Sequence, residues 1–235
     1  IPGRIRLMLA GVASQQCRTK AEAWADAAIP AEFHWLRQYG VNAKHAHTFA
    51  PGEIATQPVV LGTIDLRSDS PEVLSFKATL AATGDGVLDG LAGWFECEIA
   101  EDVWMTNSPL AADRIDRPQV FLPFDRPVEA RGGEEVEVAL SIRHEEGLIA
   151  WSTRDPRTQR KQKQSTWSST ILAQADLASQ SARLAELNGE GLARRIVLGY
   201  VDGARTGKQI EQAVLRDYPQ LLPSEAEVRR FVQRE

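Results

Sequence analysis

Four places in the sequence hold residue types that can do chemistry, and each also has an ordinary reading. His45 and His47 flank Ala46. On a strand, residues i and i+2 share a face, so a metal pair is geometrically open there. No carboxylate or cysteine stands beside them at ligand spacing, and they read as ordinary polar histidines. Glu96 and Glu98 share one parity and read as the wet face of a strand rather than an acid–base pair. Cys97, between them, reads as a small buried apolar residue rather than a nucleophile. Ser108 and Ser165 belong to no glycine-elbow motif, which leaves a serine hydrolase unsupported. Arg157, Arg160, Lys161 and Lys163 make Asp155–Gln164 basic. No aromatic interrupts them to stack on bases, so this stretch reads as a solvated loop rather than a nucleic-acid contact. None of these residues reads as a catalytic residue or a metal site.

The elements that would position such residues are mostly strands. Leu91–Ile99 places Trp94, Glu96 and Glu98 on one parity and Phe95, Cys97 and Ile99 on the other, the alternation of a half-buried strand. Arg4–Val12, Pro58–Leu66, Val73–Ala82, Gln119–Phe124, Glu135–Arg143 and Gly147–Thr153 read likewise as strands between turn signals, a pattern of barrels and sandwiches. Lys20–Ala28 has helical composition and no breaker until Pro30, and Ala31–Tyr39 follows with Trp35, Leu36 and Tyr39 on one helical face. At 235 residues the chain is long enough for one large domain or two modest ones. A net charge of −5 favours neither nucleic acid nor an acidic membrane surface. No apolar run approaches the roughly 20 residues that span a bilayer. Cys17 and Cys97 make no disulfide framework, so a reducing, cytoplasmic setting is expected. The chain opens on Ile1 without a signal-peptide pattern, and is expected to be part of a longer protein.

Ordered pieces of the sequence resemble a known family. Gly93-Trp94-Phe95, then Met105-Thr106-Asn107-Ser108-Pro109, then Gln119-Val120-Phe121-Leu122 are similar in order to the C-terminal β-barrel of protein arginine methyltransferases. Pro127-Val128, the turn Gly132-Gly133-Glu134 and the strand Glu135–Arg143 continue the same order, and Gln164-Ser165-Thr166-Trp167 resembles the final barrel strand of some bacterial relatives. The resemblance implies that Ile1-Pro2 marks passage from an upstream domain that binds S-adenosylmethionine. No strand, glycine-rich turn and helix with an acidic residue about 20 positions on occurs here. Gly84-Asp85-Gly86 is the nearest imitation and reads as a hairpin turn. The cofactor is therefore expected in the missing N-terminal domain and not in this chain.

Two segments acquire roles through the resemblance. Residues 18–45 are similar to the family's dimerisation arm, a helical insertion between the first barrel strands. Phe33, Trp35, Leu36 and Tyr39 would then face a partner, implying a homodimer; the alternative is a surface helix tucking these aromatics into its own barrel. The second segment is Arg114-Ile115-Asp116, where the family carries Thr-His-Trp on a loop facing the catalytic carboxylates of the upstream domain. Ile115 neither donates a hydrogen bond nor carries charge as histidine can, and Asp116 brings a negative charge in place of an indole. Arg114 and Arg117 either replace the lost contacts or are plain solvated charges.

Strand alternation stops near Ser168–Ser181. Gly191–Tyr200, Gly207–Tyr218 and a segment beginning at Ser224 have helical patterns, with Thr206 and Ser224 as caps. Asn188, Tyr200-Val201-Asp202-Gly203-Ala204-Arg205-Thr206, Ile210 and Tyr218-Pro219 resemble the small winged-helix-like peptide-binding domains related to the PqqD chaperone. A helical bundle that merely covers the barrel is the other reading. The expected fold is thus a mainly β, barrel-like domain with a helical insertion over residues 1–168, then a small α-helical, winged-helix-like domain over 182–235. Two functions follow from these expectations. One is the substrate-side and dimerising part of an S-adenosylmethionine-dependent arginine methyltransferase acting on a protein or peptide. The other is a peptide-binding or scaffold protein without that activity.

Overall fold

The computed structural model describes residues 3–68, 71–171 and 187–234. The chain divides into two compact units, Ile1–Ile171 and Leu172–Glu235. No helix among the described residues is long and apolar enough to cross a membrane.

Among its described residues the first unit carries ten strands: β1 (Arg4–Val12), β2 (His45–His47), β3 (Val59–Asp65), β4 (Val73–Ala81), β5 (Gly86–Ala100), β6 (Val103–Thr106), β7 (Gln119–Ala130), β8 (Glu135–Arg143), β9 (Leu148–Arg154) and β10 (Lys161–Ser165). They form two antiparallel sheets. One has the order β2-β7-β5-β1-β3 with β6 also paired to β5; the other runs β10-β9-β8-β4. Alternation sends Leu9, Leu91, Leu122 and Phe124 of the first sheet, and Leu80, Val136, Leu140 and Trp151 of the second, into one shared core. Trp151 also donates its indole N–H to the Pro123 carbonyl at 2.7 Å, tying β9 to β7 across that core.

The sheets do not close into the expected barrel. β3 and β4 share no ladder; the isolated bridge Thr56↔Ala82 lies beside them, with the Gln57 amide donating to the Ala81 carbonyl and the Thr83 amide to the Ala55 carbonyl. Side-chain packing spans the gap instead. The Phe76 ring lies where a side chain on Gly62 would stand, so a Cβ there would fall 2.2 Å from the ring. Two long strands show more reach than the local patterns predict, β5 extending to Gly86 and β7 to Ala130. A register shift between Leu88 and Gly90 sets four residues of β7, Phe124–Pro127, opposite Asp89 alone of β5, so the extra chain bulges from β7.

The helical insertion lies between β1 and β2, but its helices differ from expectation. α1 (Gln15–Ala21) begins five residues early, capped by Ser14, and ends before Glu22. Only single 3-10 turns follow at Ala23–Ala25 and Ala31–Leu36, before α2 (Arg37–Asn42). Tertiary contacts override the helical composition of 20–28. Glu22 turns to meet Arg18 and Arg37, and α2 crosses so near the end of α1 that a Cβ on Gly40 would lie 2.2 Å from the Ala21 carbonyl oxygen. A second small core, with Cys17, Ala21, Phe49, Ala92, Trp94 and Phe121, seats α1 on the outer face of the first sheet.

The basic segment expected as a solvated loop is partly strand. Asp155 caps a tight turn by accepting from the Arg157 and Thr158 amides, and its own amide donates to the Arg160 carbonyl. β10 therefore starts at Lys161 rather than Gln164.

The second unit contains α3 (Gly189–Leu198), α4 (Gly207–Asp217) and α5 (Glu225–Arg234) among its described residues, and no strand that would make a wing. Asn188 caps α3, and Thr206 with Gln209 forms a reciprocal capping box at α4. Ala193, Val197, Ile210, Val214, Val228 and Phe231 converge as its core. The Tyr200 hydroxyl donates to Asp217 at 2.6 Å, and Arg216 also pairs with that carboxylate.

Candidate substrate-side loop

The connection from β6 to β7, residues 107–118, leaves the sheet under tight control. Thr106 Oγ1 donates to the Phe95 carbonyl at 2.7 Å and accepts from the Ser108 amide at 2.9 Å. Asn107 and Gln119, both buried, then brace the two ends of the loop. Asn107 accepts from the Phe95 amide and donates to the Pro118 carbonyl, each at 3.1 Å. Gln119 donates to the Asn107 carbonyl and accepts from the Phe49 amide at 2.9 Å. Buried amides of this kind persist because their donors and acceptors are matched. Sequence reasoning placed both residues in the matching order but gave them no role. The available signal was a long polar side chain at the first position of an otherwise apolar strand.

Within the loop, the Ile115 amide donates to the Thr106 carbonyl at 2.9 Å. Arg114 is half-buried and donates to the Pro109 carbonyl at 3.0 Å. Asp116 is exposed. Arg117 is exposed too, with its guanidinium 5.7 Å from the centre of the Phe95 ring. The four residues therefore lie on one braced loop, in which the Arg117 amide donates to the Ile115 carbonyl at 2.9 Å.

In the helical insertion, Phe33 and Trp35 are 45% and 58% exposed, so neither is tucked into the sheets. Leu36 and Tyr39 are half-buried, and the Tyr39 and Trp35 rings meet edge to face at 6.0 Å. A polar clamp holds the insertion to β7: Arg37 pairs with Asp125 at 2.7 Å and with Glu22 at 2.9 Å, and Arg18 donates to the Phe124 carbonyl at 2.9 Å. Nearby, burial pushes the Asp89 carboxyl above its ordinary range, partly offset by the Ser14 amide that donates to it.

The other sequence candidates settle into structural contacts. Glu98 and Glu96 pair across strands with Arg4 and Arg6. Cys97 is buried. The His45 ring bonds the Gly40 carbonyl, and His47 stacks edge-on against Phe49. Among the described residues, no group of three or more His, Cys, Asp or Glu stands together as a metal site. S-adenosylmethionine has no fitting cradle at Gly84-Asp85-Gly86, because that turn opens into the 15-residue strand β5 rather than into a helix.

Comparison with known proteins agrees with this architecture. No family model matches the chain. A segment of 90 residues, 38% of the chain, is 29% identical to an arginine N(omega)-methyltransferase of Streptomyces achromogenes subsp. streptozoticus, and spans 25% of that relative. In structure, 70% of the chain matches 57% of a chain in the Trypanosoma brucei PRMT1 enzyme-prozyme heterotetrameric complex with AdoHcy, with a TM-score of 0.58 at 12% identity. It also matches 59% of Arabidopsis thaliana protein arginine methyltransferase 10, with a TM-score of 0.54 at 16% identity. The chain thus spans less than two thirds of each of these proteins. It is arginine methyltransferase-like in fold and in a stretch of sequence.

Proposed function

We propose that this chain is the non-cofactor-binding, sheet-rich part of an S-adenosylmethionine-dependent arginine methyltransferase-like protein, and that it forms the substrate side of a cleft. What supports the reading most is a coincidence. One chain is similar in sequence to an arginine methyltransferase and similar in fold to two protein arginine methyltransferases. The cofactor would be held by a domain outside these residues, and the loop with Arg114, Ile115, Asp116 and Arg117 would face it. Ile115 and Asp116 cannot repeat the contacts of the family's histidine and tryptophan, so the methyl acceptor would be held differently. Residues 1–168 would be the barrel-like domain, its insertion over 18–45 pairing two copies through Phe33, Trp35, Leu36 and Tyr39. Residues 182–235 would dock a peptide or protein substrate as PqqD-like domains do. The two free cysteines suit a cytoplasmic setting.

The test is methyl transfer by the full-length protein with tritiated S-adenosylmethionine, offered free arginine and arginine-rich peptides. Labelled product supports the reading and identifies the acceptor. The Ile115-Asp116 departure favours a second reading, a binding protein without the activity. A protein that binds cofactor or peptide yet transfers no label would establish that second reading.

A further inference from the structure

The inner faces of the two sheets continue beyond the part of the core where they meet. Leu9 and Leu91 on that face are fully buried. Further along the same face, Leu7 and its register partner Phe95 are only half-buried, and so are Ile142 and Ile149 opposite them. Between these walls lies a cavity of about 520 Å³. The volume falls within the range of small-molecule pockets, and the fully buried Leu9 and Leu122 are among the residues that line it.

The cavity has one charged lining residue, Arg117. Its guanidinium rests over the Phe95 ring, and no carboxylate among the described residues lines the cavity with it. The nearby Asn107 amide is already engaged with Phe95 and Pro118. An apolar cleft with a single cation at one end complements an apolar molecule with a single anionic end. We propose that this cleft binds a small amphiphilic carboxylate, its hydrocarbon tail between the two sheets and its carboxylate on Arg117. This inference does not rest on methyl transfer, because binding is read on the chain itself.

The experiment titrates the 235-residue chain calorimetrically with decanoate, 1-decanol and decylammonium, and follows the methyl resonances of Leu7, Ile142 and Ile149. Decanoate is expected to bind one to one, at least tenfold more tightly than decanol, and to shift those three methyls. Arg117→Gln should bring decanoate down to the affinity of decanol and leave decanol unchanged. Ile142→Trp, which fills the cleft, should abolish both. The methyl shifts in the unaltered chain decide the matter if that variant does not fold. Absence of heat at 1 mM decanoate, equal affinity with and without Arg117, or shifts confined to other surfaces would overturn the proposal. So would a ligand-free dimer that Ile142→Trp dissociates, since the occupant would then be a second copy.

Discussion

Trp151 and Pro123 belong to different sheets, and the 2.7 Å bond from the Trp151 indole N–H to the Pro123 carbonyl joins them inside the core. With no ladder between β3 and β4, the two sheets are held face to face by buried side chains, and this is a directional contact among them. Trp151→Phe leaves the carbonyl buried without its partner and removes part of the packed ring. The expected loss is about 3 kcal/mol, read as a lower denaturation midpoint.

Gly62 and Phe76 make the complementary contact across the open seam. Gly62→Ala should destabilise the first unit by about 1–3 kcal/mol, because the Phe76 ring must move off β3. The cost should shrink in the Gly62→Ala, Phe76→Leu double variant, where the ring is gone. Simple additivity of the two single changes in a denaturation cycle would show that the two positions do not interact.

Gln119 braces the loop between β6 and β7 from inside the core. Gln119→Leu keeps the approximate shape but leaves the Phe49 amide and the Asn107 carbonyl without their partner. A loss of about 2–4 kcal/mol is expected from two orphaned buried groups. Hydrogen exchange at the Phe49 amide should accelerate more than exchange in the middle of β8. Uniform acceleration throughout the first unit would mean that the bracing is not local.

Trp35 and Phe33 stand exposed on the helical insertion. Trp35→Ala should therefore change stability by no more than about 0.5 kcal/mol. If the proposed dimer forms there, Trp35→Ala combined with Tyr39→Ala moves the full-length protein toward monomer in sedimentation. An unchanged mass removes the pairing role from this segment.

Asp217 receives hydrogen bonds from Arg216 and Tyr200, which hold its carboxyl down at about 2. Its folded-state value lies below its unfolded one. Its contribution is therefore present above about pH 4 and fades as the pH falls toward 2. The Asp217 carboxyl carbon should titrate near pH 2 by NMR, and Tyr200→Phe should move that midpoint upward. A midpoint near 4 in the unaltered chain would reject the arrangement.

The sequence by itself determined the local order of this protein. An apolar-rich run specified the strand Arg4–Val12, and period-two alternation specified Glu135–Arg143 because one face of it must be apolar. Thr206 and Ser224 marked the starts of two tail helices because their side chains cap backbone amides only a few residues away; the cap at Asn188 emerged from the structure. The insertion was legible as a break in strand periodicity, but its helix boundaries were not. The turn at Glu22 answers to Arg37, distant in sequence, and to the crossing of α2 at Gly40. Only the tertiary structure decided that the sheets stay open, that Asn107 and Gln119 brace one loop, and that Arg117 stands at the end of an apolar cleft. Each of these depends on residues brought together from separate strands, and strand periodicity carries no information about which edges pair or how far two faces part.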